Sequence, residues 1–459
     1  MDGPRKISLG EWKQRYERLC ASGVIDAGEV RRLGYYFEDG DRRLGKLEFD
    51  NSVEALRLWN MLLSEEERLA RHRDEGKIIV GAMKDLGTVP VLAYAFDEMV
   101  AFYPDGAWWT PCVMQMSAGL LKIADSLGMD ESFCPVRAML GAFVNGKHFP
   151  RPDVLTCSAG AVCDDFSVIA QRLEGLGFAI HWWEVPYRRE VEKREDAMSL
   201  PGGVRAAREQ VDFVRGQLEG VLGMLEGAAG RKLDEEELAK SIREANRVRG
   251  LLRELRRVVF GAEVCPLGAV EMLVAEMLAI HYCSDRNMCV RVLEGLLELV
   301  RKRAARGAGV LDASAVKVFW VNPPADLRVM NLLEDCGARL CGTDYLFTHA
   351  IDAISEDVEP MEALARAAMA DPMVGSSGQR AERIARDAEE FGAGAVIVSR
   401  VPGASHCAME GTIIRDELKR RTSLKVLEIE VPSVIDADHE SLRTRIEALV
   451  ETVGSVKQI

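Results

Sequence analysis

One arrangement of residues occurs twice in the chain: an apolar stretch typical of a buried strand, a short turn, a cysteine and a helix. The first copy, DVLTCSAGAVCDDFSVIAQRL, carries Cys163 at the turn, and the second, GAVIVSRVPGASHCAMEGTIIRDELKRR, carries Cys407 at the same place. Ligands of open α/β sheets gather at the carboxyl ends of the strands, and helix N-termini stabilise thiolates. The repeated arrangement therefore predicts a metal or cluster held between two domains.

Apolar strand-like stretches alternate with helical ones, which predicts parallel sheets with helices on both faces. The stretches assigned to a first sheet are KIIVGAM (77–83), DVLTCSAG (153–160) and AIHWWEVPY (179–187). Those assigned to a second sheet are VKVFWVN (316–322), ARLCGT (338–343), AVIVS (395–399) and KVLEIEV (425–431). The predicted fold class is α/β, with doubly wound parallel-sheet domains at residues 76–187 and 306–459.

Two helical regions flank these domains. Residues 1–75 carry apolar side chains at three- and four-residue spacing and are predicted to cap the first domain. Residues 188–305 show almost no strand signal and are predicted to form a helical insert. Within this insert, Asp234 and Glu237 have the spacing of a capping box at the start of an amphipathic helix.

Composition excludes several classes of function. A chain of 459 residues is too long for one compact domain. Its net charge of −14 argues against a nucleic-acid surface, which needs a basic face. No apolar run approaches the roughly 18 residues of a membrane span, and the first residues show no hydrophobic signal core. We therefore expect a cytoplasmic protein with neither nucleic acid nor membrane as a partner.

The chain has 11 cysteines, which in a reducing compartment are more often buried thiols or metal ligands than disulfides. There is no CxxC pair, so ligands would have to be brought together by the fold. Cys134 precedes Pro135 and so resembles the residue before a helix start. Cys112 also precedes a predicted helix. Cys341 lies near the end of a predicted strand, whereas Cys336 precedes that strand and is a weaker candidate.

A single cysteine is more often a small buried hydrophobic residue than a ligand, but recurrence at equivalent points of two domains favours ligation. The metal-ligand candidates are Cys112, Cys134, Cys163, Cys336, Cys341 and Cys407. Cysteines within predicted strands or helices are interpreted as structural; these are Cys20, Cys157, Cys265, Cys283 and Cys289.

Motifs for other chemistry are missing or weak. The sequence contains neither GxxxxGK[ST] nor a strand-linked GxGxxG, so any ATP hydrolysis would belong to another protein. GSSGQRAERIARD is interpreted as a capped helix start, and GxSxG and HExxH are absent. His406 adjoins Cys407, and Glu410 is interpreted as an anchor of the helix cap. The pairs Trp108–Trp109 and Trp182–Trp183 are interpreted as packing, and no catalytic residue is assigned.

Several segments together resemble the benzoyl-CoA reductase / 2-hydroxyacyl-CoA dehydratase family of iron–sulfur subunits, in particular its D-component-like subunits. The segments are SFCPVRAMLG, the CDD at Cys163, LDEEELAKSIREANRVRGLLREL, LEDCGARLCGTDYLFTH and KVLEIEVPSVIDADHESLRTRIEALVE. They cover most of the chain from about residue 80 onward.

The resemblance implies two flavodoxin-like domains with an iron–sulfur cluster between them. It also implies a separate ATP-hydrolysing activator that carries its own [4Fe–4S] cluster and delivers low-potential electrons. Dehydratase subunits have a cysteine where this chain reads DYLF, so Phe347 or a neighbour replaces it and leaves Cys341 or Cys336 to take over. The extra cysteines, notably Cys112, are similar to the double-cubane branch, whose [Fe8S9] cluster needs more thiolates than a [4Fe–4S] cubane.

The resulting hypothesis is an ATP-dependent reductase component that reduces a small or acyl-CoA substrate at the cluster. One alternative is a 2-hydroxyacyl-CoA dehydratase subunit, in which the injected electron drives a radical elimination. Another is a cluster-binding protein without turnover. The cluster is either [Fe8S9] or [4Fe–4S], and the subunit pairs with itself or with a related subunit.

Overall fold

A cap of helices begins the chain. The computed structural model describes residues 3–23, 46–85, 87–105, 117–146, 148–433 and 435–456. The cap contains β1 (Lys6–Ser8), α1 (Leu9–Ala21), β2 (Glu48–Asp50), α2 (Val53–Leu63) and α3 (Glu65–Asp74). The helices predicted here are present, whereas the short antiparallel pair of β1 and β2 was not predicted. Trp12 stacks on Phe49 with ring centroids 4.5 Å apart, and Trp59 meets Phe49 edge-on at 5.4 Å.

The first parallel sheet follows the cap. Its elements are β3 (Ile78–Met83), α4 (Val89–Ala93), β4 (Met99–Phe102), α5 (Ser117–Ser126), α6 (Ala138–Asn145), β5 (Val154–Gly160), α7 (Asp164–Gly175) and β6 (His181–Val185). The four strands lie in the order β4-β3-β5-β6, all parallel. Strand β4 was not predicted, because its four residues lie within a longer apolar stretch that has no alternation.

A mainly helical insert separates the two parallel sheets. It contains β7 (Ala197–Ser199), β8 (Arg205–Ala207), α8 (Arg208–Ala229), α9 (Glu235–Gly261), α10 (Ala269–His281) and α11 (Arg286–Ala305). The capping box predicted at Asp234 and Glu237 is confirmed at the start of α9. The antiparallel hairpin of β7 and β8 was missed because three-residue strands leave no periodic signal.

The second parallel sheet repeats the first. Its elements are β9 (Val316–Val321), α12 (Arg328–Asp335), β10 (Ala338–Asp344), α13 (Pro360–Ala370), α14 (Ser377–Glu390), β11 (Ala395–Arg400), α15 (Ser405–Arg421), β12 (Lys425–Glu430) and α16 (His439–Val456). The strand order β10-β9-β11-β12 matches that of the first sheet, so both sheets have the second, first, third and fourth strands side by side. This order is flavodoxin-like, and the α/β prediction is confirmed.

The strands are buried because helices cover both faces of each sheet. Every residue of β4 and β10 is buried, as parallel sheets of this kind require. Between the sheets, Arg249 of α9 donates to the carbonyl of Gly87 at 3.0 Å and to the carbonyl of Asp352 at 2.7 Å. The insert therefore ties a loop of the first domain to a loop of the second. Across the described residues, no helix combines the length and apolarity needed to cross a membrane.

A buried carboxyl group joins the cap to the insert. Glu271 of α10 accepts hydrogen bonds from the Asp50 backbone N–H at 3.1 Å and from the Trp59 indole N–H at 3.2 Å. Burial, together with the nearby charge of Asp50, raises the pKa of Glu271 to about 8. Asp50 itself is paired with Arg303, and Glu334, the other facing carboxylate, is paired with Lys6. At neutral pH Glu271 is therefore mostly protonated in the folded protein.

The free energy of unfolding should fall as pH rises from 5 to 8. In this range the folded state keeps the Glu271 proton, while the unfolded chain releases it near the ordinary value of 4.5. The folded state thus binds more protons, so increasing pH destabilises it, by on the order of 3 kcal/mol. Urea unfolding at pH 5, 6.5 and 8 measures this. Glu271→Gln should reduce the dependence of the unfolding free energy on pH, whereas the surface change Glu219→Gln should leave it as it is. An unchanged pH dependence in Glu271→Gln would contradict the raised pKa assigned to Glu271.

Candidate metal centre

Three cysteines line one cavity where the carboxyl ends of the two sheets face each other. We call it the cysteine cavity; Cys134, Cys163 and Cys407 line it together with apolar residues that include Phe166 and Phe347. Its volume is about 890 Å³ when the open solvent at its mouth is included. The cavity thus collects thiols from both domains in a largely apolar setting.

Two of the thiols occupy equivalent places in the two domains. Cys163 follows β5, the third strand of the first sheet, and is the N-cap residue of α7. Cys407 follows β11, the third strand of the second sheet, and is the third residue of α15. Gly160 permits the first turn, since it has φ +85° and a Cβ there would lie 2.3 Å from the Val185 carbonyl oxygen. Both cysteines therefore lie near a helix N-terminus at the switch point of their sheet.

Cys134 reaches the same cavity from a different connection. It is the residue before a 3-10 turn, Pro135–Arg137, whose first proline suits the start of a helical turn. The preceding residues touch the loop that carries Cys407. A Cβ on Gly403, which has φ +76°, would lie 2.5 Å from the Phe133 carbonyl oxygen. This close backbone approach brings the Cys134 loop against the Cys407 loop.

A carboxylate bridges the two domains beside these thiols. Asp165 Oδ2 accepts hydrogen bonds from the Ser405 N–H at 2.9 Å and from the Ser405 hydroxyl at 2.8 Å. It also accepts one from the Cys163 thiol at 3.4 Å. Because Ala404, the N-cap residue of α15, has no side chain that can cap the helix, Asp165 of the first domain supplies that acceptor. The CDD segment contained this residue, but sequence reasoning did not give it a role.

The three thiols are electrostatically coupled to one another. Burial raises the pKa of Cys407 to about 12. Burial likewise raises the pKa of Cys134 and of Cys163, and neighbouring thiolates and Asp165 raise both further. Without a cation the three groups are thus held as thiols, whereas a bound metal would stabilise them as thiolates.

The three thiols do not converge on a single point. In the part of the chain that the structure describes, no three His, Cys, Asp or Glu side chains are close enough to hold one metal ion. A tetrahedral zinc site needs its ligands around a single point. In an iron–sulfur cluster the thiolates surround a larger body. Cys134, Cys163 and Cys407 line one cavity from two domains.

Two other candidate cysteines, Cys341 and Cys336, lie away from the cysteine cavity. Cys341 is fully buried in the middle of β10, not near its end, and does not line the cysteine cavity. Cys336 is the C-cap residue of α12, and its sulfur lies 3.8 Å from the Arg443 carbonyl oxygen. Cys112 lies outside the described residues. Phe347, at the place where the resemblance expected a cysteine, lines the cavity with its ring.

Other side chains singled out from the sequence have clear places. Ser376 caps α14 by accepting from the Gln379 N–H, so the GSSGQ segment is a capped helix start as predicted. Trp183 is buried, and Trp182 donates to Glu174 at 2.9 Å. Trp108 and Trp109 lie outside the described residues. Cys265, predicted within a helix, lies in the loop after α9.

A buried arginine holds the helix that carries Cys407. Arg380 of α14, only 1% exposed, pairs with Asp344 at 2.6 Å and with Glu410 at 3.1 Å. It also donates to the Asn322 side chain at 2.7 Å, and Asn322 in turn donates to the Cys407 carbonyl at 3.3 Å. Burial would lower the pKa of Arg380, but the two carboxylates overcome this and raise it.

The prediction that Glu410 anchors the helix cap is wrong. Glu410 accepts from the Ser377 hydroxyl at 2.8 Å and pairs with Arg380 and with His406, the latter at 3.2 Å. Burial would raise the pKa of Glu410, but these partners lower it to about 2. Its role is thus to join α15 to α14, and the helix cap is supplied by Asp165 instead.

Comparison with known families agrees with the resemblance in the sequence. The model of the family described as 2-hydroxyglutaryl-CoA dehydratase, D-component, matches residues 89–453. The match includes Cys134, Cys163 and Cys407 and every strand of the two parallel sheets except β3. A search of curated proteins finds no match to the chain.

Arg380→Met should destabilise the protein by about 3–5 kcal/mol, because it leaves Asp344 and Glu410 buried without their shared cation. Urea unfolding of the variant and the parent measures the difference. Arg386→Met on the same helix is the control; its side chain is 60% exposed, so the expected loss is within about 1 kcal/mol. Equal losses in the two variants would show that the Arg380 network does not carry the stability assigned to it.

Proposed function

Because the chain belongs to the 2-hydroxyglutaryl-CoA dehydratase D-component family, we propose that it is the iron–sulfur component of a two-component enzyme. In this proposal an ATP-hydrolysing activator with its own [4Fe–4S] cluster supplies low-potential electrons. They are used at a cluster in the cysteine cavity to reduce a small or acyl-CoA substrate. The observation that carries the proposal is the meeting of Cys134, Cys163 and Cys407, from two domains, at one cavity.

Cys134, Cys163 and Cys407 are the proposed ligands in the described part of the chain. For a further ligand we favour Cys112, because Asp105, seven positions before it in the sequence, lines the cysteine cavity. Cys341 and Cys336 are less suitable, since one is enclosed within a strand and the other packs against α16. Ligation by Cys112 as well would also suit the larger [Fe8S9] cluster.

An iron–sulfur cluster, when bound, supplies one-electron transfer. The protein's own contribution is the environment. Phe166 and Phe347 make part of the cavity lining apolar, and electrostatic interactions are stronger in such a setting than in water. The backbone N–H of Asp165 faces the Cys163 sulfur and that of Val136 faces the Cys134 sulfur, and hydrogen bonds to sulfur tune cluster potential. Asp165 and Ser405 hold the two domains, and therefore the thiols, in one arrangement.

A 2-hydroxyacyl-CoA dehydratase subunit is the second candidate, and the family match itself favours it. In that reaction the injected electron would drive a radical elimination of water and then be recovered. By the resemblance, Phe347 or a neighbour replaces a family cysteine, and this favours the reductase instead, because it changes the ligand set of a dehydratase subunit. Phe347 itself lines the cavity. The two functions differ in their products, so activity measurements separate them.

Anaerobically purified protein should contain about four irons per chain with a cubane, or about eight with a double cubane. Cys163→Ala and Cys407→Ala should each lose most of this iron, because each removes a thiolate from the cysteine cavity. Iron analysis and visible absorption measure the loss. Cys289→Ala is the matched control, since Cys289 is also buried but lies in α11. Full iron in both cavity variants would refute the inter-domain cluster.

Activity with the cognate activator and ATP should identify the reaction. ATP-dependent reduction of acetylene to ethylene, which takes up two electrons and two protons, would support the reductase. Conversion of a 2-hydroxyacyl-CoA to the enoyl-CoA would support the dehydratase. Gas chromatography measures the first product and liquid chromatography the second. Bound iron with neither product would indicate a cluster-binding protein without turnover.

A further inference from the structure

A cleft lined by arginines opens beside the hairpin of β7 and β8. We call it the arginine cleft; its cationic lining residues are Arg188, Arg205, Arg383 and Arg386. Two carboxylates also line it, Glu190 and Glu382, and Glu382 is paired with Arg421 outside the cleft at 2.8 Å. The chain as a whole has a net charge of −14, so a local excess of arginine is the reverse of the general surface. Such an excess attracts anions.

Arg188 is the strongest indication of a ligand. It is 2% exposed, and its guanidinium donates to the carbonyls of Met369 at 2.5 Å and Asp371 at 3.1 Å and to the Gln379 side chain at 3.2 Å. Its Nε has no hydrogen-bond partner, and no described carboxylate lies within ion-pair distance of it. The charge of the Asp371 carboxylate acts on Arg188, but that carboxylate is bonded to His349. A buried cation without an ion-pair partner is costly, which points to an anion that completes the site.

The rest of the cleft is accessible to such an anion. Arg205 of β8 is exposed and has no ion pair in the described structure. The hairpin turn holds Gly202 and Gly203 at φ +71° and +77°, and a Cβ on Gly203 would meet nothing within 4 Å. The backbone there therefore leaves open space for a ligand. Arg383, in contrast, is already paired with Asp352 at 2.7 Å, so its role in the arginine cleft is mainly structural.

The arginine cleft adjoins the cysteine cavity through a polar cavity. Pro201 and Ala370 line both the cleft and this polar cavity. Lys84, Asp85 and Val162 line both the polar cavity and the cysteine cavity. The three spaces therefore follow one another from the surface to the thiols.

The polar cavity carries charged groups of both signs, with Asp85, Asp352 and Asp371 among its lining residues. Arg249 also lines it and donates to the carbonyls of Asp352 and Gly87. Lys84 donates to the Gly160 carbonyl and to the Ser167 hydroxyl, and lies 3.8 Å from Asp164. Both residues are buried. A ligand that reached from the cleft to the thiols would thus pass the buried cations Arg249 and Lys84 as well as the carboxylates beside them.

We propose that the arginine cleft binds the phosphate groups of a substrate with a phosphorylated headgroup, whose reacting end extends through the polar cavity to the cysteine cavity. Arginine binds phosphate in bidentate fashion, which several guanidinium groups around one space allow. The orientation of the substrate, with its reacting end at the cysteine cavity, rests on the proposed function. The phosphate site rests only on the residues of the arginine cleft. Coenzyme A thioesters, free nucleotides and inorganic phosphate share this chemistry, so the experiment must separate them.

Titration calorimetry of the full-length protein with coenzyme A, pantetheine, ATP and inorganic phosphate shows which of these ligands the arginine cleft binds. Coenzyme A should bind at least about tenfold more tightly than pantetheine, which lacks the phosphates. Equal affinity for these two compounds would overturn the proposal. ATP or inorganic phosphate binding as tightly as coenzyme A would overturn the assignment to a substrate that extends inward from the cleft.

Substitutions locate the site. Arg205→Ala, an exposed change that should not affect folding, and Arg188→Gln should each weaken coenzyme A binding about tenfold or more. The control Arg247→Ala, an exposed arginine of α9, should bind normally. Unchanged affinity in Arg205→Ala and in a folded Arg188→Gln would refute the site.

The same titrations on Cys163→Ala separate this inference from the proposed function. That variant lacks a thiolate of the cysteine cavity but keeps every residue of the arginine cleft. Retained coenzyme A binding in the variant supports the cleft whatever the iron analysis shows. A wild-type protein that holds iron and turns over substrate, but whose arginine variants bind and react normally, would overturn the cleft alone.

Discussion

The capping of a helix in one domain by a carboxylate of the other is the contact on which the site depends. Asp165 binds both the N–H and the hydroxyl of Ser405, and these groups are oriented by α15 itself. Cys163 lies two residues before Asp165, and Cys407 lies two residues after Ser405. A hydrogen bond of fixed length between the domains therefore sets how far apart the two thiols can be. Arg249, which binds loops of both domains, supports the same closure from the insert.

The two domains share geometry at this site but not chemistry. In each, the residue after the first strand has a left-handed backbone, at Lys84 with φ +54° and at Asn322 with φ +66°. Lys84 provides a buried charge to the cavity, whereas Asn322 binds the carbonyl of Cys407 and the guanidinium of Arg380. The repeated fold thus places equivalent positions around one space, and sequence differences at those positions make one side cationic and the other a rigid support.

Sequence reasoning predicted what depends on local patterns. Seven of the eight parallel strands were found from apolar stretches, and β4 was missed for lack of alternation. The meeting of Cys163 and Cys407 followed from topology, because the carboxyl ends of parallel strands share one edge. The Arg380 network, the cap from Asp165 and the place of Cys341 within β10 depend on contacts between distant segments. No local pattern reveals them, and the role predicted for Glu410 was wrong for that reason.

The cations between the surface and the thiols have a common physical consequence. Arg188 and Arg249 donate mainly to backbone carbonyls, so their positive charge is met by carboxylates such as Asp371 and Asp352 at longer range and not by direct ion pairs. In a buried setting that charge acts over a longer range than it would in water. Under the proposed function it would favour an anionic substrate in the passage and an added electron at its inner end. The same buried cations would thus favour both substrate binding and electron transfer.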